Sequence, residues 1–244
     1  ALIEAGVRHV MVGAIDPNPL VAGKGIRVLR AAGVQVTEGI LASEAEALNP
    51  GFVMRMKTGR PYVRCKLAMS LDGRTAMASG ESKWITGEAA RIDVQRLRAR
   101  SSAIVTGIGT VSADDPSLNV RAPVSVFEGV RDPGDLLNPL RVVLDSRLEL
   151  TTEARMLSLP GKTLVITGHE DGMARERLMR AGAEVVQLKG DPAFVDLDRM
   201  LRYLAGREIN EVLIEAGPTL AGAALQAGIV DELILYVAPH IMGS

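Results

Sequence analysis

The sequence contains little cysteine, few aromatic side chains and almost no net charge. Cys65 is the one cysteine among 244 residues, so no internal disulfide forms, and this usage fits a reducing compartment. The formal net charge is −1 with lysine and arginine dispersed, which excludes a basic stripe for nucleic acid and a polybasic membrane patch. Charges interrupt each apolar run before the roughly 20 residues that a membrane span needs, and the N-terminus lacks signal-peptide features. We therefore expect a cytoplasmic protein that binds neither nucleic acid nor membrane.

Side chains that bind metals or act as nucleophiles are also sparse. The three histidines, His9, His169 and His240, are widely separated, without cysteine or glutamate at ligand spacing. No G-x-S-x-G or catalytic Cys–His signature is present. We expect no metal and no covalent catalysis.

What the sequence does contain is an alternation of apolar strands and helices. It predicts strands at 62–70, 102–108, 141–146, 163–168, 184–188, 211–217 and 232–239, and helices at 86–100, 172–181, 195–205 and 218–227. This alternation favours a largely parallel sheet covered on both faces.

A shorter α/β segment precedes this part. It predicts strands at 7–15 and 34–40 and helices at 23–33 and 43–59, and it ends at Gly59-Arg60-Pro61, the best candidate domain boundary. The first residues, ALIEAG, read as a helix without a starting methionine, and the sequence stops directly after a strong strand. We interpret the chain as a piece of a longer protein.

The segment EVLIEAGPTLAGAAL at 211–225 joins a buried strand to a helix of small residues. Gly217 and Pro218 turn the chain there, and the free N–H groups at the start of such a helix suit an anion. A tight turn with close helix packing explains the same residues equally well. Glu215 favours the ligand site, because a carboxylate at the end of an apolar strand needs a cation, donors or a ligand.

The segment TGIGTVSADDPSLNVR at 106–121 also follows a strand. Gly107 and Gly109 resemble the start of the dinucleotide fingerprint G-x-G-x-x-G, but a serine replaces the third glycine and Pro116 prevents a long helix. The fingerprint fails. We expect a loop that places Thr110 and two carboxylates beside a ligand crevice.

The segment KLAMSLDGRTAMASGESKWIT at 66–86 begins in a strand and contains the one tryptophan, Trp84. Period-two alternation separates Lys66 from the apolar face of that strand. A lysine in a strand buried on both faces needs a partner, and Glu215 is the candidate. A lone tryptophan is more often part of a core than a ligand-stacking group.

Together these three segments resemble the reductase domain of the bifunctional riboflavin-biosynthesis deaminase–reductase family, over residues 61–244. Residues 1–60, with AIDPNPLVAGKGI, resemble the second half of the preceding deaminase domain. The resemblance implies a dihydrofolate-reductase-like α/β fold with a mixed, mostly parallel sheet and helices on both faces, preceded by a partial cytidine-deaminase-like α/β piece. The H-x-E and P-C-x-x-C elements of zinc deaminases are absent from the sequence, so we expect neither zinc nor deaminase activity.

The resemblance further implies NADPH-dependent reduction of 5-amino-6-(5-phosphoribosylamino)uracil to the ribitylamino compound, and a homodimer. The cofactor-binding positions of the family fall on Ala68, Trp84, Thr110, Asp114, Ser146, Gly217, Pro218, Thr219, Leu220, Ala221, Gly222 and Ala223. Its substrate-binding positions fall on Ser82, Arg98, Leu118, Arg121 and Glu215. The segment around Trp84 is then a wall shared by cofactor and substrate.

The residue types suit these roles. Lys66, Asp114 and Glu215 are the ionisable groups available for positioning and proton transfer, and the sequence does not rank them. Arg98 falls at the edge of the apolar stripe of its helix, and we expect it to converge with Arg121 on the substrate phosphate.

Ser146 and Arg147 follow a strand end, a place that suits the ribose 2′-phosphate of NADPH. Of the two, Ser146 carries the firmer expectation, because it is also a family position.

Two other functions fit the same sequence. One is a catalytically incomplete nucleotide-binding or assembly module, which would bind NADPH without oxidising it. The other is a related reductase that acts on the diaminopyrimidine before deamination, against which the deaminase-like segment argues. Dihydrofolate reductase itself fits less well, because it has no use for paired arginines that bind a sugar phosphate.

Overall fold

The structure, a computed structural model, describes residues 1–76, 87–127, 129, 130, 132, 134 and 136–243. Its strands are β1 (His9–Val12), β2 (Gln35–Glu38), β3 (Tyr62–Ser70), β4 (Ala103–Gly107), β5 (Leu140–Leu144), β6 (Thr163–Thr167), β7 (Ala183–Gln187), β8 (Glu211–Glu215) and β9 (Glu232–Ala238). Its helices are α1 (Lys24–Ala31), α2 (Ala42–Ala47), α3 (Pro50–Thr58), α4 (Glu88–Arg100), α5 (Ile108–Asp114), α6 (Arg155–Ser158), α7 (Gly172–Arg180), α8 (Leu197–Gly206) and α9 (Pro218–Gln226). A 3₁₀ turn covers Val124–Val126. Within these residues, no helix combines the length and apolar character that crossing a membrane requires.

The seven strands β3 to β9 form one sheet in the order β7-β6-β5-β4-β8-β3-β9, and each described pair is parallel. The largely parallel α/β fold predicted from the alternation of strands and helices is confirmed. Parallel strands end at the same edge of a sheet, so the loops after β3, β4, β5 and β8 meet there. The order places β3 directly beside β8, with Lys66 opposite Glu215.

Helices cover both faces of this sheet, because alternate side chains of each strand point to opposite sides. On one face, the apolar core joins strand residues such as Val105 and Ile214 to α8 and α9. On the other face, Ile104 and Leu213 pack with α4, α5 and α7. The charged side chains of β3 and β8 lie on the second face, where Glu215 contacts Arg98 of α4.

The N-terminal segment is a two-stranded parallel sheet, β1 beside β2, with α1 between the two strands in sequence. Two expectations for this segment are wrong. Residues 2–6 form turns instead of a helix. The helix expected over 43–59 is two helices, because Pro50 has no N–H to continue α2 and instead starts α3.

The loop expected directly after β4 is also wrong. Helix α5 begins immediately after Gly107 and ends at Asp114. The helix stays short because Asp115 adopts a left-handed conformation with φ 42° and Pro116 follows it.

Helix α3 lies against the amino-terminal edge of the large sheet. A Cβ atom at Gly51 would be 2.4 Å from Cγ of Glu211 and 2.6 Å from the carbonyl oxygen of Asn210, so only glycine permits this approach. Arg55 Nε donates a hydrogen bond of 2.6 Å to Oδ1 of Asn210. Next along the chain, Arg60 forms two hydrogen bonds with the carboxylate of Asp231, at 2.7 and 2.6 Å. Helix α3 and the residues that follow it are therefore fixed to the base of the sheet by specific polar contacts.

Candidate active site

A buried ion pair marks the carboxyl end of β8. Glu215 accepts hydrogen bonds from Nε and Nη2 of Arg98 on α4, at 2.7 and 2.8 Å. The third guanidinium nitrogen, Nη1, donates to the carbonyl oxygen of Asn119 at 3.1 Å. Arg98 is buried, not at the edge of the apolar stripe as expected, because two opposite charges that share a bidentate contact can be desolvated together.

Lys66 lies beside this pair. It is opposite Glu215 in the register of β3 and β8, and its ammonium lies over the ring of Tyr236, with Nζ 5.8 Å from the ring centroid. Burial lowers the pKa of Lys66, the charge of Glu215 opposes this effect, and the charge of Arg98 adds to it. Glu215 thus acts on Lys66 through its field, while its oxygens bind Arg98.

The environment of Glu215 decides its protonation. Burial alone would raise the pKa of this carboxyl, but the charge and hydrogen bonds of Arg98, with the charges of Lys66 and Arg121, outweigh burial and lower the pKa. Glu215 is therefore an ionised acceptor and has no proton to donate near neutral pH. An ammonium with a lowered pKa releases its proton more readily, so Lys66 is the better candidate for a proton donor.

Asp114, the third ionisable candidate, ends α5. Its side chain is half-buried, and the described residues give it neither an ion pair nor a hydrogen bond.

Residues 117–121 form a loop that connects α5 to this site. Leu118 is buried with φ 44°, a strained conformation for a leucine that turns the chain back toward α4. The turn brings the carbonyl of Asn119 to Arg98 and lets the backbone N–H of Arg121 donate to Oε1 of Gln95 at 2.8 Å.

Arg121 presents a guanidinium to solvent at the end of this loop. Its Nη1 donates to Oγ of Ser117 at 3.1 Å. Burial lowers the pKa of Arg121, and the positive charges of Arg98 and Arg155 lower it further. The charge of Glu215 opposes this effect, and the exposed planar guanidinium of Arg121 suits a phosphate.

The junction between β4 and α5 meets the junction between β8 and α9 beyond the ion pair. The predicted cofactor positions Thr110 and 217–223 belong to these two junctions. The backbone N–H of Gly217 donates to Oγ1 of Thr110 at 3.1 Å, which joins the start of α9 to α5. The N–H groups of Thr219 and Leu220 in the first turn of α9 have no helical acceptor, and among the described residues no side chain caps this helix. This end of α9 fits an anionic group such as the pyrophosphate of a dinucleotide.

The small residues of α9 have distinct positions. Ala221 is buried in the core under the sheet, whereas Gly222 and Ala223 are exposed, as are Pro218 and Thr219. Among the described residues, no atom lies within 4 Å of the position of a Cβ atom at Gly109 or Gly222, so there is open space beside these two glycines.

The remaining predicted positions lie along the same edge. Ala68 is opposite Tyr236 in the register of β3 and β9. Ser146 follows β5, and its carbonyl oxygen accepts a hydrogen bond of 3.0 Å from Oγ1 of Thr167. The side chain of Arg147 is 77% exposed, with Nη1 4.0 Å from Oε1 of Glu149. Ser82 and Trp84 lie outside the described residues.

Sequence reasoning missed three residues of this site. Tyr236 and Asp93 are joined by a hydrogen bond of 2.6 Å, and Asn119 binds Arg98. Tyr236 sits in an apolar strand and Asp93 in a charged helix, so neither carried a signal of its own. Among the described residues, no cluster of three or more His, Cys, Asp or Glu side chains could hold a metal ion.

Comparison with known proteins gives a consistent set of matches. Residues 61–244 match the family model described as RibD C-terminal domain. The riboflavin biosynthesis protein RibD of Escherichia coli is 48% identical over 246 residues, which cover 100% of this chain and 66% of the relative. The protein of the same name from Aquifex aeolicus is 36% identical over 244 residues, covering 100% of this chain and 64% of its own length.

Solved structures agree. A structure of Acinetobacter baumannii RibD superimposes with a TM-score of 0.87 at 46% identity and covers 100% of this chain and 64% of that protein. The Thermotoga maritima diaminohydroxyphosphoribosylaminopyrimidine deaminase/5-amino-6-(5-phosphoribosylamino)uracil reductase has a TM-score of 0.79 at 31% identity, with 100% and 63% coverage. The chain thus spans about two thirds of the length of each of these relatives.

Proposed function

The chain belongs to the RibD C-terminal domain family, and on this basis we propose that it reduces 5-amino-6-(5-phosphoribosylamino)uracil to 5-amino-6-(5-phosphoribitylamino)uracil with NADPH. The reductase activity in the name of the Thermotoga maritima relative supports this substrate. The observation that carries the proposal is the cluster of Lys66, Glu215 and Arg98 at the strand ends, next to the uncapped start of α9.

The groups present suit each part of this reaction. NADPH supplies a hydride when bound. Reduction at the anomeric carbon of the sugar consumes one proton for each hydride, and Lys66 donates that proton. Glu215 keeps Lys66 charged and compensates the positive charge of the open-chain imine, while Arg98 holds the Glu215 carboxylate in place. The N–H groups at the start of α9 bind the cofactor pyrophosphate.

The proposal is tested by following NADPH oxidation on addition of the phosphoribosylamino substrate, with the full-length parent protein as control. We expect substrate-dependent oxidation and a product that carries two more hydrogens by mass spectrometry. NADPH binding without oxidation would favour the incomplete binding module. Faster oxidation with the diaminopyrimidine would favour the reductase that acts before deamination.

Replacing Arg121 by alanine is expected to raise KM for the phosphorylated substrate about ten- to a hundredfold, because a charge-assisted phosphate contact is lost. The KM for NADPH should stay near its wild-type value. Arg100→Ala, an exposed arginine on α4, is the matched control and should change neither constant.

The dephosphorylated substrate separates phosphate binding from maintenance of the fold. The wild type should bind it poorly and Arg121→Ala no worse. Equal losses on both substrates would remove Arg121 from phosphate recognition and assign it to the fold.

Preference for NADPH over NADH rests on Ser146 and Arg147 in this proposal. A cleft of about 100 Å³ follows these two residues, between the loop after β6 and the start of α7. Its lining residues include Thr167, His169 and Arg175. Arg147→Ala should lower the ratio of kcat/KM for NADPH to that for NADH about tenfold, as expected for one exposed charge contact to the 2′-phosphate. An unchanged ratio would remove Arg147 from the assignment.

The assignment of residues 1–60 to the end of a deaminase domain belongs to this proposal, as do a cytoplasmic location and a homodimer. The edge strand β9 supports a dimer, because Leu233, Leu235 and Val237 project from it with 44% to 48% of their surface exposed. Within the described sheet β9 pairs with β3 alone, and proteins usually cover an apolar strip at such an edge.

A further inference from the structure

The contact of the Lys66 ammonium with an aromatic ring is unusual for a lysine in a sheet. The ammonium has no hydrogen-bond or salt-bridge partner among the described residues and lies over the face of the Tyr236 ring, 5.8 Å from its centroid. Lysine has a flexible four-carbon stem, so without further restraint its ammonium would occupy several positions.

The Tyr236 ring is itself fixed from the opposite side. Its hydroxyl donates a hydrogen bond of 2.6 Å to Oδ2 of Asp93 on α4. Burial raises the pKa of the Tyr236 phenol, and the hydrogen bond to Asp93 and the negative charges of Asp93 and Glu215 raise it further, so the hydroxyl remains a donor. The small Ala68, opposite Tyr236 on β3, leaves space for the ring.

We propose that Tyr236, anchored by Asp93, is a positioning residue that holds the Lys66 ammonium at the carboxyl ends of β3 and β8. The negative face of the ring attracts the cation and favours its charged form. Three elements thereby position one proton donor. Strand β3 carries Lys66, β9 supplies the Tyr236 ring, and α4 supplies Asp93, which fixes that ring. The link to catalysis rests on the reductase function proposed above.

Other charged groups also face Lys66. Glu215 on β8 stabilises the ammonium, Arg98 on α4 destabilises it, and Asp93 on α4 acts through Tyr236. Glu215 outweighs Arg98 in its effect on Lys66, and the Tyr236 ring adds a contact to the ammonium itself, which neither member of that ion pair makes by hydrogen bonding.

The decisive measurement is the titration of Lys66, followed by NMR on protein with labelled lysine side chains and assigned with Lys66→Met. Tyr236→Leu removes the ring face and should lower the pKa of Lys66 by about 0.5. The basic limb of the pH profile of kcat/KM should move to lower pH by the same amount, and kcat should fall at least threefold, with KM for NADPH unchanged.

The chain offers a matched control. The guanidinium of Arg207 lies over the ring of Tyr203 on α8 at the same separation of 5.8 Å and also donates to its hydroxyl at 3.3 Å, so Tyr203→Leu removes a cation–ring contact that does not involve Lys66. It should leave the Lys66 titration and kcat unchanged. A Lys66 pKa that is the same in Tyr236→Leu and the wild type would overturn the proposal.

A second pair of variants decides the question even if Tyr236→Leu does not fold. Tyr236→Phe and Asp93→Asn both weaken the anchoring hydrogen bond, so each should lower kcat and the double variant should lower it little further. Wild-type kcat in both variants, or fully additive losses, would overturn the anchoring role. The NMR titration needs no turnover, so it tests the positioning of Lys66 even if the chain fails to reduce the proposed substrate.

Discussion

Replacing Lys66 by methionine is expected to lower kcat for the reduction by a factor of about 10²–10⁴, the range typical for loss of a general acid. Methionine fills a similar volume, and Glu215 keeps its contacts with Arg98, so the fold should persist. Single-turnover NADPH oxidation measures the chemical step, and thermal unfolding checks the fold.

Lys57→Met provides the control for this experiment. Lys57 lies on α3, where it pairs with Glu46 at 2.7 Å, away from the strand ends. It should retain the wild-type rate. If Lys66→Met instead kept kcat within tenfold of the wild type, the proton donor would have to be another group, and Asp114 would be the next candidate.

Replacing Arg98 by methionine is expected to destabilise the protein by about 3–5 kcal/mol, because it leaves the Glu215 carboxylate buried without its partner. For a chain of this length, this corresponds to a fall in Tm of roughly 6–20 °C. Thermal and denaturant unfolding of the two proteins at the same pH measure the loss. The double variant Arg98→Met/Glu215→Leu should recover most of it, and a double variant as unstable as the single one would contradict this explanation.

The pH dependence of stability gives an independent test of the same pair. Glu215 has a lowered pKa in the folded wild type, so its contribution to the free energy of unfolding is present above its unfolded pKa of about 4.3. That contribution is lost as pH falls through the folded pKa. In Arg98→Met the carboxyl loses its main stabilising partner and its pKa rises. The variant should therefore lose less stability than the wild type between neutral and acidic pH.

The elements of the large sheet could be predicted from local patterns, whereas their arrangement could not. Each strand of residues 62–239 lies within two residues of its predicted range, because short apolar runs between turn residues are determined locally. The neighbours of β3 are β8 and β9, far away in sequence, and no local pattern specifies them. The expected approach of Lys66 and Glu215 rested on the period-two alternation of β3 together with the need of a buried lysine for a partner of opposite charge.

The side-chain contacts of the site were harder to predict. The helical pattern of α4 placed Arg98 at the edge of a stripe, but its burial depends on a carboxylate supplied by β8. Tyr236 and Asp93 gave no signal, because each is ordinary in its own element and becomes informative only when β9 lies under α4. A residue whose role depends on a partner in another element cannot be identified when each element is considered alone.

The strand order also has a consequence for synthesis on the ribosome. Strand β3 emerges early, yet both of its neighbours come late: Arg64 and its partner Glu211 are 147 residues apart in the chain. At translation rates of about 5–20 residues per second, β3 waits roughly 7–30 seconds for β8 to be made. Meanwhile β4 to β7 can pair with one another, so the nascent chain carries one finished half-sheet and one unpaired apolar strand. That strand is the segment on which a chaperone that binds nascent chains would act.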